Sequence, residues 1–251
     1  MSALDELFGL EGKRAMVTGA RSGIGRMAAE VLARAGADIV GLGSRPMPDT
    51  ASGIRALGRS FTEITVDLTG DVNFDAVLAQ AGPVDILVNN AGQIRRQDLL
   101  AFDRTDWDEV LQINLSAAFG LSQAVARELH QGGRGGRIIN IASLLSFQGG
   151  IRIVSYAAAK HGLLGLTRAM ANELASLGIT VNAIAPGYIE TDNTEALRND
   201  PGRSQAILQR IPSGRWGAPG DLAAAILFLA GPGASYVTGS CVTVDGGWMA
   251  R

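Results

Sequence analysis

A glycine-rich turn near the N-terminus constrains the fold of this chain more than any other feature. Glycines stand at positions 19, 23 and 25, between the apolar run that ends at Val17 and a segment with apolar residues at helical spacing. A strand, turn and helix in this order let the backbone approach a pyrophosphate, and the start of the helix offers it free N–H groups. The spacing is G-x3-G-x-G rather than the standard G-x-G-x-x-G. The turn indicates a nucleotide-binding unit.

Apolar, β-branched runs alternate with helical patterns along the rest of the chain. Strands are predicted at 14–18, 38–43, 62–67, 84–89, 137–142, 179–184 and 241–245. Helices are predicted around 24–35, 71–81, 104–130, 155–177 and 219–230, with at most a short one in 46–58, which contains two prolines. This alternation predicts an α/β fold of the Rossmann type: a doubly wound parallel sheet of about seven strands with helices on both faces. Ligands of such folds bind beyond the carboxyl ends of the strands.

The bulk properties indicate one domain and exclude several classes of partner. No linker or charge block divides the 251 residues, so we predict a single domain over 1–251. The formal net charge of −2, with both signs interspersed, argues against nucleic acid and anionic membranes as partners. The longest apolar run, 222–230, is too short to cross a bilayer, and the N-terminus lacks the basic region of a secretory signal. A single cysteine, Cys241, fits a reducing, cytoplasmic location, and without a Cys/His cluster we predict no catalytic metal.

Tyr156 and Lys160 lie four residues apart in a predicted helix. That spacing puts both side chains on one face, with their Cβ atoms about 5–6 Å apart. An ammonium favours the phenolate, so Lys160 should lower the pKa of Tyr156 from about 10 towards neutrality. A tyrosine with such a pKa can exchange a proton with a substrate hydroxyl or carbonyl near pH 7.

The glycine turn and the tyrosine–lysine pair together resemble the short-chain dehydrogenase/reductase family. Other landmarks of the family follow in order, namely Asn89-Asn90-Ala91-Gly92, Asn114, Ser143 and Pro186-Gly187. The resemblance covers essentially the whole chain. It implies an oxidoreductase of class EC 1.1.1 that acts on CH–OH groups with NAD or NADP, and a homotetramer.

The resemblance assigns roles to four catalytic residues, Asn114, Ser143, Tyr156 and Lys160. Tyr156 would donate a proton in carbonyl reduction and act as the base in alcohol oxidation, while Ser143 would hold the reacting oxygen. Lys160 would lower the tyrosine pKa and hold the nicotinamide ribose. The counterpart of Asn114 in the family orders a water that links the lysine to solvent.

The cofactor would be held at several strand ends. The expected contacts are Gly19, Arg21, Ser22, Gly23, Ile24, Gly25, Ser44, Arg45, Asp67, Leu68, Asn90, Ala91, Gly92, Tyr156, Lys160, Pro186, Gly187, Ile189 and Thr191. Asp67 would contact the adenine, or else cap a turn. No acid ends the second strand, where it would bind the ribose 2′-hydroxyl of NAD. Arg45 and Arg21 could instead meet a 2′-phosphate, so residue chemistry favours NADP. The resemblance favours NAD, which we place first with NADP as the alternative.

Several stretches beyond the common motifs resemble the family members that act on sugar acids of the 2-deoxy-D-gluconate and 2-dehydro-3-deoxy-D-gluconate type. They are 94–98, 145–152, 185–188 with 192–194, 210–217 and 244–251. A sugar acid needs a cation for its carboxylate, and arginine supplies a bidentate fork. The predicted substrate contacts are Arg95, Ser143, Gln148, Arg152 and Tyr156, with a substrate loop at about 188–217. Arg95, Arg96 and Arg152 all lie on loops beyond strand ends, and Arg152 is the first candidate for the carboxylate.

Two other functions remain open. The first is an NADPH-dependent reductase similar to the 3-oxoacyl-carrier-protein reductases, which share the catalytic set and would need a basic patch outside the pocket for an acidic carrier. The second is a catalytically silent nucleotide-binding interaction protein. The presence of all four residues, Asn114, Ser143, Tyr156 and Lys160, argues against this second function because the fold alone does not require them.

Overall fold

Seven strands form one parallel sheet in the computed structural model, which describes residues 2–250. They are β1 (Arg14–Thr18), β2 (Asp38–Gly43), β3 (Phe61–Thr65), β4 (Ile86–Asn89), β5 (Gly136–Ile141), β6 (Ile179–Pro186) and β7 (Cys241–Val244). Their order in the sheet is β3-β2-β1-β4-β5-β6-β7. The chain reverses direction across the sheet between β1 and β4, which creates the switch point where ligands of such sheets bind. The predicted doubly wound fold is confirmed; Met1 and Arg251, the ends of the predicted domain, lie outside the described residues.

Helices cover both faces of this sheet. Within residues 2–250 they are α1 (Ala3–Phe8), α2 (Gly23–Arg34), α3 (Pro48–Ala56), α4 (Phe74–Ala81), α5 (Arg104–Leu111), α6 (Ala117–Gln131), α7 (Val154–Leu174), α8 (Asp192–Arg198), α9 (Pro201–Leu208) and α10 (Ala223–Ala230). None of these helices is long and apolar enough to span a lipid bilayer.

The two faces of the sheet bury separate apolar clusters. Successive side chains of a strand point to opposite faces, and β1 shows this directly. Ala15 and Val17 pack in one cluster with α2 and α10, whereas Met16 packs in the other with α4, α6 and α7. Strands covered on both faces become continuous apolar runs, and all eight residues of β6 are buried. This core fixes the carboxyl ends of the strands, where the candidate site lies.

The structure departs from the predicted elements in short or weakly apolar segments. Helices α1, α8 and α9 were not predicted, and α1 and α8 contain no buried residue that could give a periodic apolar signal. The helix predicted over 104–130 is interrupted by a π-helical turn, Gln112–Ser116. The helix predicted over 155–177 ends at Leu174 and continues as a 3₁₀ turn, Ala175–Leu177. The predicted substrate loop, 188–217, therefore contains two short helices, α8 and α9, which make up about half of it.

Candidate active site

Four side chains with acid–base or hydrogen-bonding chemistry border one cavity at the carboxyl ends of the strands. The cavity has a volume of about 470 Å³, and Asn114, Ser143, Tyr156 and Lys160 all line it. Ser143 follows β5, and Tyr156 and Lys160 lie in the first two turns of α7. Asn114 lies in the π-helical turn between α5 and α6. The fold therefore brings together the residues that the sequence predicted as a catalytic set.

Lys160 is anchored by the end of β5. Its Nζ donates a hydrogen bond to the carbonyl oxygen of Ile141 at 2.8 Å, and the residue is 3% exposed. Burial disfavours the charged form of an amine, and it lowers the pKa of Lys160 to about 8. The hydroxyl of Ser146 donates to the Lys160 carbonyl oxygen at 2.7 Å. The lysine is thus held at both its backbone and its amine.

The structure does not give Tyr156 the near-neutral pKa that the sequence predicts. Burial is the largest influence, and it raises the pKa of the phenol. A hydrogen bond with the Ser143 side chain and the charge of Arg96 lower the pKa, without outweighing burial. The Nζ of Lys160 is 5.6 Å from the centre of the tyrosine ring and is engaged by Ile141. Helical spacing predicted the proximity of the two side chains but not the desolvation of the phenol.

Ser143 stands at the turn that leaves β5. Its Oγ accepts a hydrogen bond from the Leu145 amide at 3.1 Å, which caps the 3₁₀ turn Leu144–Ser146. The same side chain also acts on the Tyr156 phenol, whose pKa it lowers against the larger effect of burial. A serine capped in this way has little freedom of movement, so it is suited to orient an oxygen atom against the tyrosine.

Asn114 is buried in an irregular part of its helix. Its Nδ2 donates to the carbonyl oxygens of Val110 and Gln93, each at 2.9 Å. Its Oδ1 is buried and has no hydrogen-bond partner among the described residues. A Cβ at position 92 would stand 2.5 Å from this oxygen, so Gly92 is required for its close approach. Single π-helical turns are frequent at functional sites, and here the turn orients a side chain that a regular helix would place differently.

The glycine turn forms a concave backbone surface after β1. Gly19 and Gly23 have φ values of +67° and +55°, which residues with a Cβ rarely adopt. A Cβ at Gly25 would stand 2.1 Å from the Gly19 carbonyl oxygen. The glycines thus let the turn fold tightly against the start of α2, and the free N–H groups at that helix N-terminus suit a pyrophosphate. The Ser22 hydroxyl at this terminus donates to a carboxylate oxygen of Asp192 at 3.2 Å, which connects the turn to α8.

Thr18 is a residue of this region that the sequence prediction missed. Its Oγ1 accepts hydrogen bonds from the amides of Asn90 and Ala91 at 2.9 and 2.8 Å. The Nδ2 of Asn90 returns a bond to the Thr18 carbonyl oxygen at 2.9 Å. These bonds join the ends of β1 and β4 at the switch point. The sequence shows only that a threonine stands directly before the first glycine of the turn. Its role in joining the two strand ends becomes visible only when β1 and β4 are seen to be neighbours in the sheet.

Among the expected cofactor contacts outside the cavity are five residues in the glycine turn after β1 and in the loops after β2 and β3: Arg21, Ser44, Arg45, Asp67 and Leu68. Ser44, Arg45 and Arg21 are exposed, and neither arginine forms an ion pair within residues 2–250. Asp67 is also exposed and accepts hydrogen bonds from the amide and hydroxyl of Thr69 at 3.0 and 2.8 Å. These bonds lower the pKa of the Asp67 carboxyl. They are the hydrogen bonds of a residue that caps a turn, which is the alternative to a contact with the adenine. Leu68 is buried in the core.

The segment after β6 borders the cavity opposite the glycine turn. Of the expected contacts, it contributes Pro186, Gly187, Ile189 and Thr191 to the lining, and Ile24, Asn90 and Gly92 line the cavity from the other side. A Cβ at Gly187 would stand 2.6 Å from the Cα of Asp245, so β7 packs directly against this segment. The Glu190 amide donates to the Gly217 carbonyl oxygen at 2.8 Å. The segment is therefore fixed before it continues into α8.

Two of the arginines expected at the substrate are engaged elsewhere. Arg95 pairs with Asp106 and Glu109 at 3.1 and 3.0 Å. Arg152 pairs with Asp98 at 3.1 Å and has a φ of +64°. Neither arginine lines the cavity. The sequence indicated that both lie on loops at the correct edge of the sheet, but it could not show which carboxylates neutralise them. Gln148, in contrast, does line the cavity.

Other arginines supply the positive charge of the cavity. Arg96, Arg203 and Arg210 line it, and none of them forms an ion pair within the described part of the chain. Arg96 donates to the Asn193 carbonyl oxygen at 3.3 Å, and the guanidinium of Arg210 lies over the Trp248 ring. No aspartate or glutamate among residues 2–250 lines the cavity. Arg203 was missed because α9, which carries it, was not predicted.

The described residues contain no group of three or more histidine, cysteine, aspartate or glutamate side chains that could hold a metal ion. Cys241 is a free thiol, and burial raises its pKa to about 11. The Nδ1–H of His161 donates one hydrogen bond to the Ala157 carbonyl oxygen, 2.9 Å away on its own helix.

Comparisons with known proteins agree with this geometry. The sequence profile of the family described as enoyl-(acyl carrier protein) reductase matches residues 19–249. The 2-dehydro-3-deoxy-D-gluconate 5-dehydrogenase of Escherichia coli (strain K12) is 52% identical over 97% of this chain and 98% of its own length. The chain belongs to the short-chain dehydrogenase/reductase family. This membership confirms the family predicted from the glycine turn and the tyrosine–lysine pair.

Two further relatives bear on the cofactor and on the alternative function. The crystal structure of a proposed 2-deoxy-D-gluconate 3-dehydrogenase from Agrobacterium tumefaciens, with bound NADP, is 53% identical, with a TM-score of 0.94 over 98% of this chain and 99% of that chain. The 3-oxoacyl-[acyl-carrier-protein] reductase of Vibrio cholerae is 44% identical over 95% of this chain and 98% of its own length. The identity is thus higher to the sugar-acid dehydrogenases than to this carrier-protein reductase.

Proposed function

We propose that this chain is an NAD(P)-dependent oxidoreductase that transfers a hydride between a nicotinamide cofactor and a hydroxyl or keto carbon of a sugar acid. The observation that carries the proposal is the charge of the cavity next to Ser143 and Tyr156. Arg96, Arg203, Arg210 and Lys160 line it, and no carboxylate of the described residues opposes them. Positive charge without an internal partner favours an anionic ligand. Sugar acids of the 2-deoxy-D-gluconate or 2-dehydro-3-deoxy-D-gluconate type supply both the carboxylate and the reacting carbon.

The acid–base step follows from the three side chains around Tyr156. In carbonyl reduction the Tyr156 phenol donates its proton to the substrate oxygen, and in alcohol oxidation the phenolate takes that proton. The raised pKa keeps the phenol protonated before reduction. Ser143 holds the reacting oxygen by its hydroxyl. Lys160, fixed on Ile141, holds the nicotinamide ribose, and Asn114 orients its unpartnered Oδ1 in the same buried region.

The chain offers a fitting cradle for the cofactor. Gly19 and Gly23 supply the positive φ values of the turn, and Gly25 lets it fold tightly, because a Cβ at Gly25 would stand 2.1 Å from the Gly19 carbonyl oxygen. The free N–H groups at the start of α2 would then hold the pyrophosphate. When bound, the nicotinamide ring supplies or accepts the hydride. We propose that NADP is accepted as well as NAD, because Arg45 after β2 and Arg21 in the glycine turn after β1 are exposed and form no ion pair within the described residues. The predicted contact of Asp67 with the adenine remains part of this proposal.

The helices α8 and α9 form the substrate-covering part of the segment 188–217. Leu197, Arg203 and Ile207 from these helices line the cavity.

We also propose a cytoplasmic homotetramer. Large apolar side chains remain exposed on one protomer, including Phe119 on α6 at 45% and Leu100 at 101%. Light scattering after size-exclusion chromatography measures the molar mass in solution, and the mass of a monomer would contradict the proposed tetramer.

The function is tested with a panel of sugar acids and keto-deoxy sugar acids, each assayed with NAD(H) and NADP(H). We expect turnover of at least one six-carbon acid with a kcat/KM well above that of its uncharged analogue. Acyl thioesters in the same panel test the carrier-protein reductase. Preference for the thioesters would replace the proposed substrate class. Absence of turnover with every substrate and both cofactors would favour the catalytically silent protein.

A further inference from the structure

Two stretches of the sequence that the catalytic residues do not use, 210–217 and 244–250, pack against one another beside the cavity. The Ser213 amide donates to the Gly246 carbonyl oxygen at 3.0 Å. A Cβ at Gly246 would stand 2.4 Å from the Ser213 Oγ, and one at Gly247 would stand 3.0 Å from the Pro212 Cγ. Both glycines also have positive φ values, +63° and +91°. Only a glycine pair therefore allows the segment that carries Arg210 to approach the C-terminal turn this closely.

The C-terminal turn is built to present Trp248. The carboxylate of Asp245 accepts hydrogen bonds from the Gly247 and Met249 amides, each at 2.8 Å. These bonds flank Trp248, which is 4% exposed. The Nε1 of Trp248 donates to the Oε1 of Gln148 at 3.0 Å. The indole is thus fixed from its own turn on one side and from the loop that follows Ser143 on the other.

Arg210 lies on the face of this fixed indole. Its Cζ is 3.9 Å from the ring centre of Trp248, well within the range of a cation–π contact. Stacking supports the planar guanidinium and leaves its N–H groups at the edge of the plane, where a carboxylate can accept two of them. Arg210 lines the cavity and forms no ion pair within residues 2–250. The guanidinium is therefore preorganised and lacks an internal anion.

The arginines of the cavity act at different places. Burial raises the pKa of both Tyr156 and Tyr188; the charge of Arg96 opposes this rise at Tyr156, whereas the charges of Arg203 and Arg210 oppose it at Tyr188. Tyr188 packs against Trp248 with ring centres 4.8 Å apart. Arg96 is thus the cation of the reacting end of the cavity, and Arg210 is the cation of the end formed by Tyr188 and Trp248.

We propose that Arg210 binds the substrate carboxylate and that Trp248 and Gln148 are positioning residues that hold its guanidinium. The inference rests on the proposed sugar-acid function and deepens it. With the carboxylate held at the Tyr188 end, the substrate extends towards Tyr156 and presents a carbon distant from the carboxylate. A bidentate contact at one end of a short chain fixes which carbon reacts.

The test compares Arg210→Gln with Arg215→Gln, a matched loss of an arginine from the same segment. Arg215 pairs with Asp221 at 2.7 Å and does not line the cavity. The measurement is kcat/KM with 2-deoxy-D-gluconate and with its primary amide, which lacks the charge. We expect Arg210→Gln to lose about 10- to 100-fold on the acid and to change little on the amide, as for a lost hydrogen bond to a charged group. Arg215→Gln should change neither value.

The outcomes separate this inference from the proposed function. If the wild type prefers the acid but Arg210→Gln loses equally on acid and amide, or loses on neither, Arg210 does not bind the carboxylate. If the wild type itself shows no preference for the acid, the proposed function fails first. Trp248→Phe keeps an aromatic face but removes the bond to Gln148. It should raise KM for the acid more than for the amide, whereas a loss of stability alone would affect both substrates equally; an equal change on both would remove the positioning role.

Discussion

The Lys160 ammonium lies 5.6 Å from the centre of the Tyr156 ring and donates its hydrogen bond to the end of β5 at 2.8 Å. Each of the two groups is desolvated, and burial favours the neutral form of both. It raises the pKa of Tyr156 and lowers that of Lys160 to about 8. A neutral phenol is the form that donates a proton, so the free protein is set for carbonyl reduction. Oxidation requires the phenolate, whose formation the charge of Arg96 assists.

Substitution of Tyr156 by phenylalanine should remove proton transfer and retain the fold. The ring remains packed, while kcat should fall by about 10²- to 10⁴-fold, the range for a lost general acid. The matched control is Tyr236→Phe, because Tyr236 is fully exposed at 102% and does not line the cavity. Steady-state kinetics and cofactor titration by fluorescence measure the two effects. Turnover near that of the wild type would show that another group donates the proton.

The lowered pKa of Lys160 should make the pH dependence of stability distinctive. The ordinary value is 10.5 and burial lowers the pKa to about 8, so between these values the unfolded chain binds more protons. The free energy of unfolding should therefore rise with pH in that window, by at most about 3 kcal/mol at 1.36 kcal/mol per pKa unit. Below pH 8 the buried ammonium is charged and this contribution is absent.

Urea unfolding of the wild type and of Lys160→Met between pH 7.5 and 10.5 isolates the effect of this lysine. Burial also raises the pKa of Cys241 to about 11, which lowers stability over part of the same range. The difference between the two proteins cancels that contribution. We expect the difference to shift in favour of the wild type as pH rises. A difference independent of pH would mean that the Lys160 amine has its ordinary pKa.

Arg45 is expected to contribute to the recognition of NADP. It is exposed at the tip of β2, and a 2′-phosphate placed there would accept its charge-assisted hydrogen bonds. Arg45→Ala should then weaken NADP by roughly 1.5–3 kcal/mol and leave NAD nearly unchanged. Arg55→Ala, which removes another exposed arginine from the neighbouring helix α3, is the control. Equal effects on the two cofactors, or none, would make Arg45 a solvated charge and favour NAD. Isothermal titration with each cofactor provides both affinities.

The sequence predicted what depends on local periodicity. Apolar, β-branched runs between helical patterns located β1 to β7. A spacing of four residues placed Tyr156 and Lys160 on one face of α7. The ion-pair partners of the arginines depend on contacts between separate loops, such as Arg152 with Asp98, which have no local signature. The π-helical turn at Asn114 also has no apolar pattern of its own. The pKa of Tyr156 depends on how completely the fold excludes water, which spacing cannot report.

Arg96 and Arg152 provide the last prediction, because they sit on neighbouring loops and differ in their partners. The charge of Arg96 lowers the pKa of Tyr156, whereas Arg152 pairs with Asp98 at 3.1 Å. In alcohol oxidation Tyr156 must lose its proton, so the acidic limb of the profile of kcat/KM against pH reports its pKa in the free enzyme. Arg96→Gln removes a charge that stabilises the phenolate, and that limb should move to higher pH. Arg152→Gln should leave it in place.

The direction of the shift is decisive because removal of a merely structural arginine would lower kcat/KM at every pH without moving the limb. Part of the effect should persist in 0.5 M salt, since a cation beside a half-buried phenol is screened less than an exposed pair. A shift with Arg152→Gln instead, or equal shifts with both variants, would mean that the charge at the rim of the cavity acts as a whole. If the acidic limb of the profile does not move with Arg96→Gln, the charge of Arg96 does not act on Tyr156. Ser143 would then be the group that lowers the pKa of Tyr156 against the effect of burial.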